Sequence, residues 1–186
     1  DKNTGTLLFY TDGISVWNKD HLQMPNGTGL MGSGNSTQSA LIVSFPKSDS
    51  LYYIFTITDF QPPLNGFRYS VVDMSLNGGL GDVSVKNVLL LSGASEKLAA
   101  VKPCNGTDVW VLIHQNGTNA YYAYLVTSSG IDLPVISNVG AVFPAAGFPG
   151  YLKFSPDGHK VVMAGYQQMP MAQLFDFDDQ SGVLSN

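Results

Sequence analysis

One cysteine, one glutamate and one arginine stand among the 186 residues. Cys104 alone cannot form an intramolecular disulfide, which excludes the bridged scaffold of small secreted eukaryotic domains and leaves an intracellular or a bacterial chain. Charged residues make up 12% against 44% hydrophobic. A disordered chain needs the reverse balance. No apolar run reaches 18 residues, so no membrane-spanning helix is expected. Arg68 is the only arginine and the net charge is −5. A nucleic-acid binder needs a basic face to neutralise phosphates, so that partner class is excluded.

The scarcity of glutamate points to architecture. Glu96 stands against thirteen aspartates, and Asp and Asn favour turns and caps where Glu favours helices. Seven Asn-Gly or Asp-Gly pairs begin at Asp12, Asn26, Asn65, Asn77, Asn105, Asn116 and Asp157. Such pairs accept the positive φ of tight hairpin turns. Between them lie runs rich in Val, Ile, Leu, Tyr and Phe, and no segment keeps a helical period. The composition is that of an all-β protein. Four Asn-x-Ser/Thr sequons, at Asn26, Asn35, Asn105 and Asn116, read as turn chemistry rather than glycosylation sites.

An internal repeat organises these runs. Residues 40–58 (ALIVSFPKSDSLYYIFTIT), 98–115 (LAAVKPCNGTDVWVLIHQ) and 152–167 (LKFSPDGHKVVMAGYQ) share one pattern: an apolar strand, a proline turn and a second apolar strand. Pro46, Pro103 and Pro156 recur 57 and 53 residues apart. Proline cannot donate to a ladder, so it belongs in the turn. A second hairpin type, with a polar glycine turn, falls at residues 7–18, 67–91, 120–142 and 171–184. Two alternating hairpins make a four-stranded antiparallel unit of about fifty residues, the size of a β-propeller blade. The expectation is one segment of about three and a half blades: two outer strands in 5–28, blades over 38–91 and 96–142, and a partial blade over 150–186. The rival all-β arrangement is a sandwich. An arc that short exposes its edges, so it belongs to a longer chain or is completed by a second copy, a homodimer closing a seven-bladed ring.

Residues 155–161 (SPDGHKV) resemble the turn of bacterial WD40-like and TolB-like propellers. Residues 7–27, 36–46, 67–83 and 96–115 resemble the propeller region of large Bacteroidetes surface proteins, the gliding-motility-associated class exported by type IX secretion and often carrying PKD-type repeats. The resemblance runs from Leu7 to about Phe177. It implies an extracellular or outer-surface location and a larger parent polypeptide, and it carries over no catalytic motif. No sorting domain and no PKD repeat is present in these residues.

Chemistry is sparse. An acid–base pair for polysaccharide processing would draw on Asp59 or Asp73 with Glu96. The run 176–182 (DFDDQSG) has calcium-loop flavour, but its fifth position is Gln180 and no glutamate follows, so it reads as a turn. His21, His114 and His159 lack a second ligand at metal spacing, and His114, ending a strand near a loop, is the one worth testing. There is no nucleophile elbow and no phosphate-cradling glycine loop, and no cofactor or metal is expected. The plentiful tyrosines fill space between sheets, with Tyr52 and Tyr53 expected on opposite faces of one strand. The sequence points to a non-enzymatic scaffold or recognition module for protein or glycan partners, bound through loops at one end of the strands. The candidate ligand-binding residues are Gln38, Glu96, Lys97, His114, Gln115 and Gln167.

Overall fold

The structure is a computed structural model and describes residues 1, 4–59, 66–144, 149–166 and 170–186. Among these residues the chain is all-β with antiparallel sheets, and its only helical turn is a 3-10 turn at Asn77–Gly79. Among the described residues no helix is long and apolar enough to cross a membrane.

The first sheet is a hairpin of β1 (Phe9–Thr11) and β2 (Val16–Asn18). A third lane, residues 22–32, runs back along β2: the Met24 amide donates to Val16 O at 2.9 Å, Val16 to Gly27 O at 2.8 Å and Leu30 to Ile14 O at 2.9 Å. The second sheet is a meander of β3 (Ala40–Ser44), β4 (Leu51–Ile57), β5 (Gly66–Asp73) and β6 (Asp82–Ser92). The third has β7 (Ala94–Val101), β8 (Val109–Gln115) and β9 (Ala120–Thr127) in order. Its outer lane is shared by β10 (Gly130–Ile131) and β11 (Val135–Asn138), both paired to β9. The fourth is a meander of β12 (Gly150–Phe154), β13 (Lys160–Gly165), β14 (Ala172–Asp178) and β15 (Val183–Ser185).

Three apolar cores separate the four sheets, and strand alternation builds them. In β4, Tyr52 and Ile54 face the first sheet, while Tyr53, Phe55 and Ile57 face the third. In β8, Val109, Val111 and Ile113 face the second sheet, and Trp110 and Leu112 face the fourth. Strands covered on both faces carry apolar residues on both, which is why residues 51–55 and 109–113 read as unbroken hydrophobic runs. The fourth sheet alternates instead. Leu152, Val161, Met163, Phe175 and Phe177 pack inward, and Tyr151, Val162 and Leu174 are exposed on its outer face. On the first sheet, Tyr10 and Trp17 stack on each other at 5.3 Å, away from the core that Phe9 and Val16 enter. The first strands of the three meanders are neighbours: β7 lies along β12 and touches β3.

Candidate functional site

Three of the six candidate residues meet at one place, and a backbone irregularity puts them there. β7 and β8 pair as Ala94↔Gln115 and Leu98↔Ile113, so Ser95, Glu96 and Lys97 stand opposite His114 alone. A bulge of this kind re-aims side chains that a regular strand would alternate. All four residues are buried.

Glu96 reaches the segment before β3. Its Oε2 accepts from the Thr37 amide at 2.6 Å and from the Thr37 hydroxyl. That hydroxyl also accepts from the Gly150 amide at 3.2 Å, at the start of β12. One threonine thus ties the second, third and fourth sheets together. Lys97 lies on the other flank with no solvent exposure, its ammonium 5.3 Å from the centre of the Phe143 ring. Gly150 must be glycine here: at φ 152°, a Cβ would stand 2.1 Å from Ala164 O and 3.0 Å from Lys97 Cε. Burial pulls the Lys97 amine down to about 8, against the opposing pull of the Glu96 charge.

His114 is held at both ring nitrogens, Nδ1 at 3.1 Å from Ser95 Oγ and Nε2 at 3.1 Å from Thr118 O. A carbonyl only accepts, so Nε2 carries the proton and Nδ1 accepts from the serine hydroxyl. Tyr121 and Phe143 rings lie at 4.9 and 5.8 Å. Burial, and then the Lys97 charge, lower the imidazole to about 4, with the Thr118 carbonyl opposing.

The folded imidazole refuses a proton that the unfolded chain accepts below about pH 6.5. Its contribution to stability is therefore complete above that pH and is lost as pH falls toward about 4. The loss amounts to about 3 kcal/mol. Urea unfolding at pH 7, 5.5 and 4.5 should show His114→Gln less acid-sensitive than the parent chain; parallel slopes would count against the burial argument. Lys97 acts with the same sign in the alkaline range, since stability rises as its folded-state amine deprotonates from about pH 8. Buried Tyr124, its phenol raised to about 12, and Tyr121 oppose this above pH 10.

The remaining candidates sit around this cluster or away from it. Glu96, Lys97 and His114 lie inside strands and are sealed from solvent, so they do not present themselves on a loop face. Local sequence places them near loops, but the sheets on either side close over them. Gln115 is half-buried at the rim, and its Oε1 accepts from Tyr122 OH at 3.2 Å. Gln38 follows Thr37, and its Oε1 is buried without a hydrogen-bond partner among the described residues. Gln167 lies outside the described residues.

The carboxylate pairing divides likewise. Asp59 accepts from Asn35 Nδ2 at 3.4 Å, near the Thr37 end of the second sheet. Asp73 ends β5 at the opposite end, about 20 Å along the strand, and accepts from Ser75 N and Oγ at 2.9 and 2.6 Å. Asp73 therefore cannot pair with Glu96. Asp178 accepts from Gln180 N at 3.0 Å and Ser181 Oγ at 2.6 Å, the turn chemistry expected of that run. Among the described residues no group of three His, Cys, Asp or Glu could hold a metal ion.

Sequence reasoning missed Thr37, Ser95, Thr118, Phe143 and Gly150. One signal was available: the polar run Ser95-Glu96-Lys97 interrupts an otherwise apolar strand, as an inserted bulge does. No protein-family profile, curated protein sequence or solved structure matches the chain.

Proposed function

We propose that the chain is part of a β-propeller, about three and a half blades of it, acting as a rigid, non-enzymatic recognition module of a bacterial cell-surface or secreted protein. Its partners are proteins or glycans, bound through loops at one end of the inner strands. The observation that supports this best is the stack of three successive antiparallel meanders, of four, five and four strands, in which the first strand of the middle one, β7, lies along β12 and touches β3. Radial repetition of such sheets is how propellers bury strands on both faces. The resemblance to Bacteroidetes surface propellers supports the location.

In this reading the buried Thr37–Glu96–His114 cluster holds the inner strands in place, and Gln38 and Gln115 stand closest to the partner face. The outer faces, with exposed Tyr10 and half-buried Trp17 at one end and exposed Tyr151, Val162 and Leu174 at the other, await further sheets. A homodimer closing the ring supplies them. Light scattering over a range of concentrations should give twice the mass of the chain, and a monomer at high concentration would end the dimer closure. For recognition, binding of the labelled chain to a glycan array should weaken in Gln115→Ala with the melting temperature unchanged. Equal binding by the variant would remove this face from consideration.

A further inference from the structure

Outside the cluster, a groove lies at the other end of β7, about 15 Å from Lys97 along the strand. It has a volume of about 560 Å³ and lies between the β3–β4 turn and the β7–β8 turn. Leu41, Val43, Phe45, Val101 and Val109 supply its apolar walls. Lys47 and Lys102 are the charged residues lining it, and no carboxylate does. Both lysines are exposed, and neither makes a hydrogen bond or ion pair among the described residues. In a chain of net charge −5, two cations that pair with no carboxylate thus stand on the lining of one apolar groove.

The repeat supplies an internal comparison. Each meander opens with a proline turn. In the third and fourth sheets the residue at positive φ in that turn is glycine, Gly106 at 71° and Gly158 at 80°. In the second sheet it is Lys47, at φ 60°, within a turn closed by Ser48 N donating to Phe45 O at 3.1 Å. A lysine there carries backbone strain that glycine would relieve. The two flanks of the β7–β8 turn differ accordingly. On one, Gly158 packs so closely that a Cβ would stand 3.1 Å from Val101 Cγ2. On the other, the groove stays open with Lys47 at its edge.

We propose that this groove is a binding site for a small amphipathic carboxylate, an aliphatic or aryl body seated on Val43, Val101 and Val109 with its carboxylate held by Lys47 and Lys102. The volume falls in the range of small-molecule sites, and apolar walls with a small number of charged groups on the lining are their usual construction. The site lies at the strand ends opposite the proposed partner loops, so it stands independently of that reading.

The test titrates the isotope-labelled chain with decanoate, below its micelle concentration, by amide NMR. Saturable shifts centred on Val43, Ser44, Val101 and Thr107 are expected. The dissociation constant should rise about tenfold in Lys47→Gly, about tenfold in Lys102→Gln, and about tenfold for decanol in place of decanoate. Lys47→Gly should hold the melting temperature or raise it by up to about 3 °C, which separates lost binding from lost folding. The proposal is overturned by an absence of shifts at millimolar decanoate, or by shifts centred on the exposed Tyr151–Leu174 face. Affinities equal for decanol, or unchanged in both lysine variants, overturn it as well.

Discussion

Glu96→Ala should cost the chain about 3–5 kcal/mol, the range for removing one partner from a buried charged set. For a chain of this size that corresponds to a fall in melting temperature on the order of 10 °C. The substitution leaves the Thr37 amide and hydroxyl without their acceptor, inside the contact between the second and third sheets. It also strips the buried Lys97 ammonium of the neighbouring charge that favours its protonated form. Glu96→Gln separates the two effects. The amide oxygen still accepts from Thr37, so most of the stability should remain, while the Lys97 amine loses its proton at lower pH. A double-mutant cycle with Thr37→Val measures the coupling directly, and about 1–3 kcal/mol is expected for residues sharing a hydrogen bond. If Glu96→Ala costs less than about 1 kcal/mol, or if the two substitutions add without coupling, the cluster is not what ties the three sheets together.

Trp110→Ala should cost about 3–5 kcal/mol by a different route, the loss of a large buried ring and the cavity left behind. Trp110 fills the contact between the third and fourth sheets. Its indole Nε1 donates to Asp179 O at 2.7 Å, and the same aspartate accepts the Cys104 amide on Oδ2 at 2.7 Å. The β14–β15 turn of the fourth sheet is thereby bound to the third sheet at two points, one in the β7–β8 turn and one on β8. Gly182 completes the fit: at φ 75°, a Cβ there would stand 2.5 Å from the indole ring. Gly182→Ala should therefore be destabilising in the parent chain and less so in the Trp110→Ala background, where only the backbone strain remains. Equal costs in both backgrounds would show that the ring does not enforce the glycine. Trp110→Phe keeps most of the volume and loses the donor, for about 1–3 kcal/mol. Urea unfolding followed by circular dichroism measures all four variants on one scale.

Much of the local structure was legible because it depends on neighbours in sequence. Proline after an apolar run, as at Pro46, Pro103 and Pro156, ends a strand whatever lies across from it, since the missing N–H acts within a few residues. Asn105 shows the same locality: its Oδ1 accepts from Thr107 N at 3.0 Å and Asp108 N at 3.1 Å within its own turn. The expectation that Tyr52 and Tyr53 serve opposite faces also held, because period-two alternation is a property of the extended backbone itself.

What the sequence by itself determined is therefore an all-β chain of antiparallel strands with marked turns, and which strands are apolar on both faces. The tertiary structure alone decided that Glu96, Lys97 and His114 are sealed rather than displayed. The register between β7 and β8 slips there, and slippage depends on residues some twenty positions apart and on a threonine from another sheet. The third lane along β2 and the groove beside Lys47 have the same origin. Each depends on how separately folded hairpins come to lie against one another, and that geometry is set by packing between sheets, to which no short window of sequence has access.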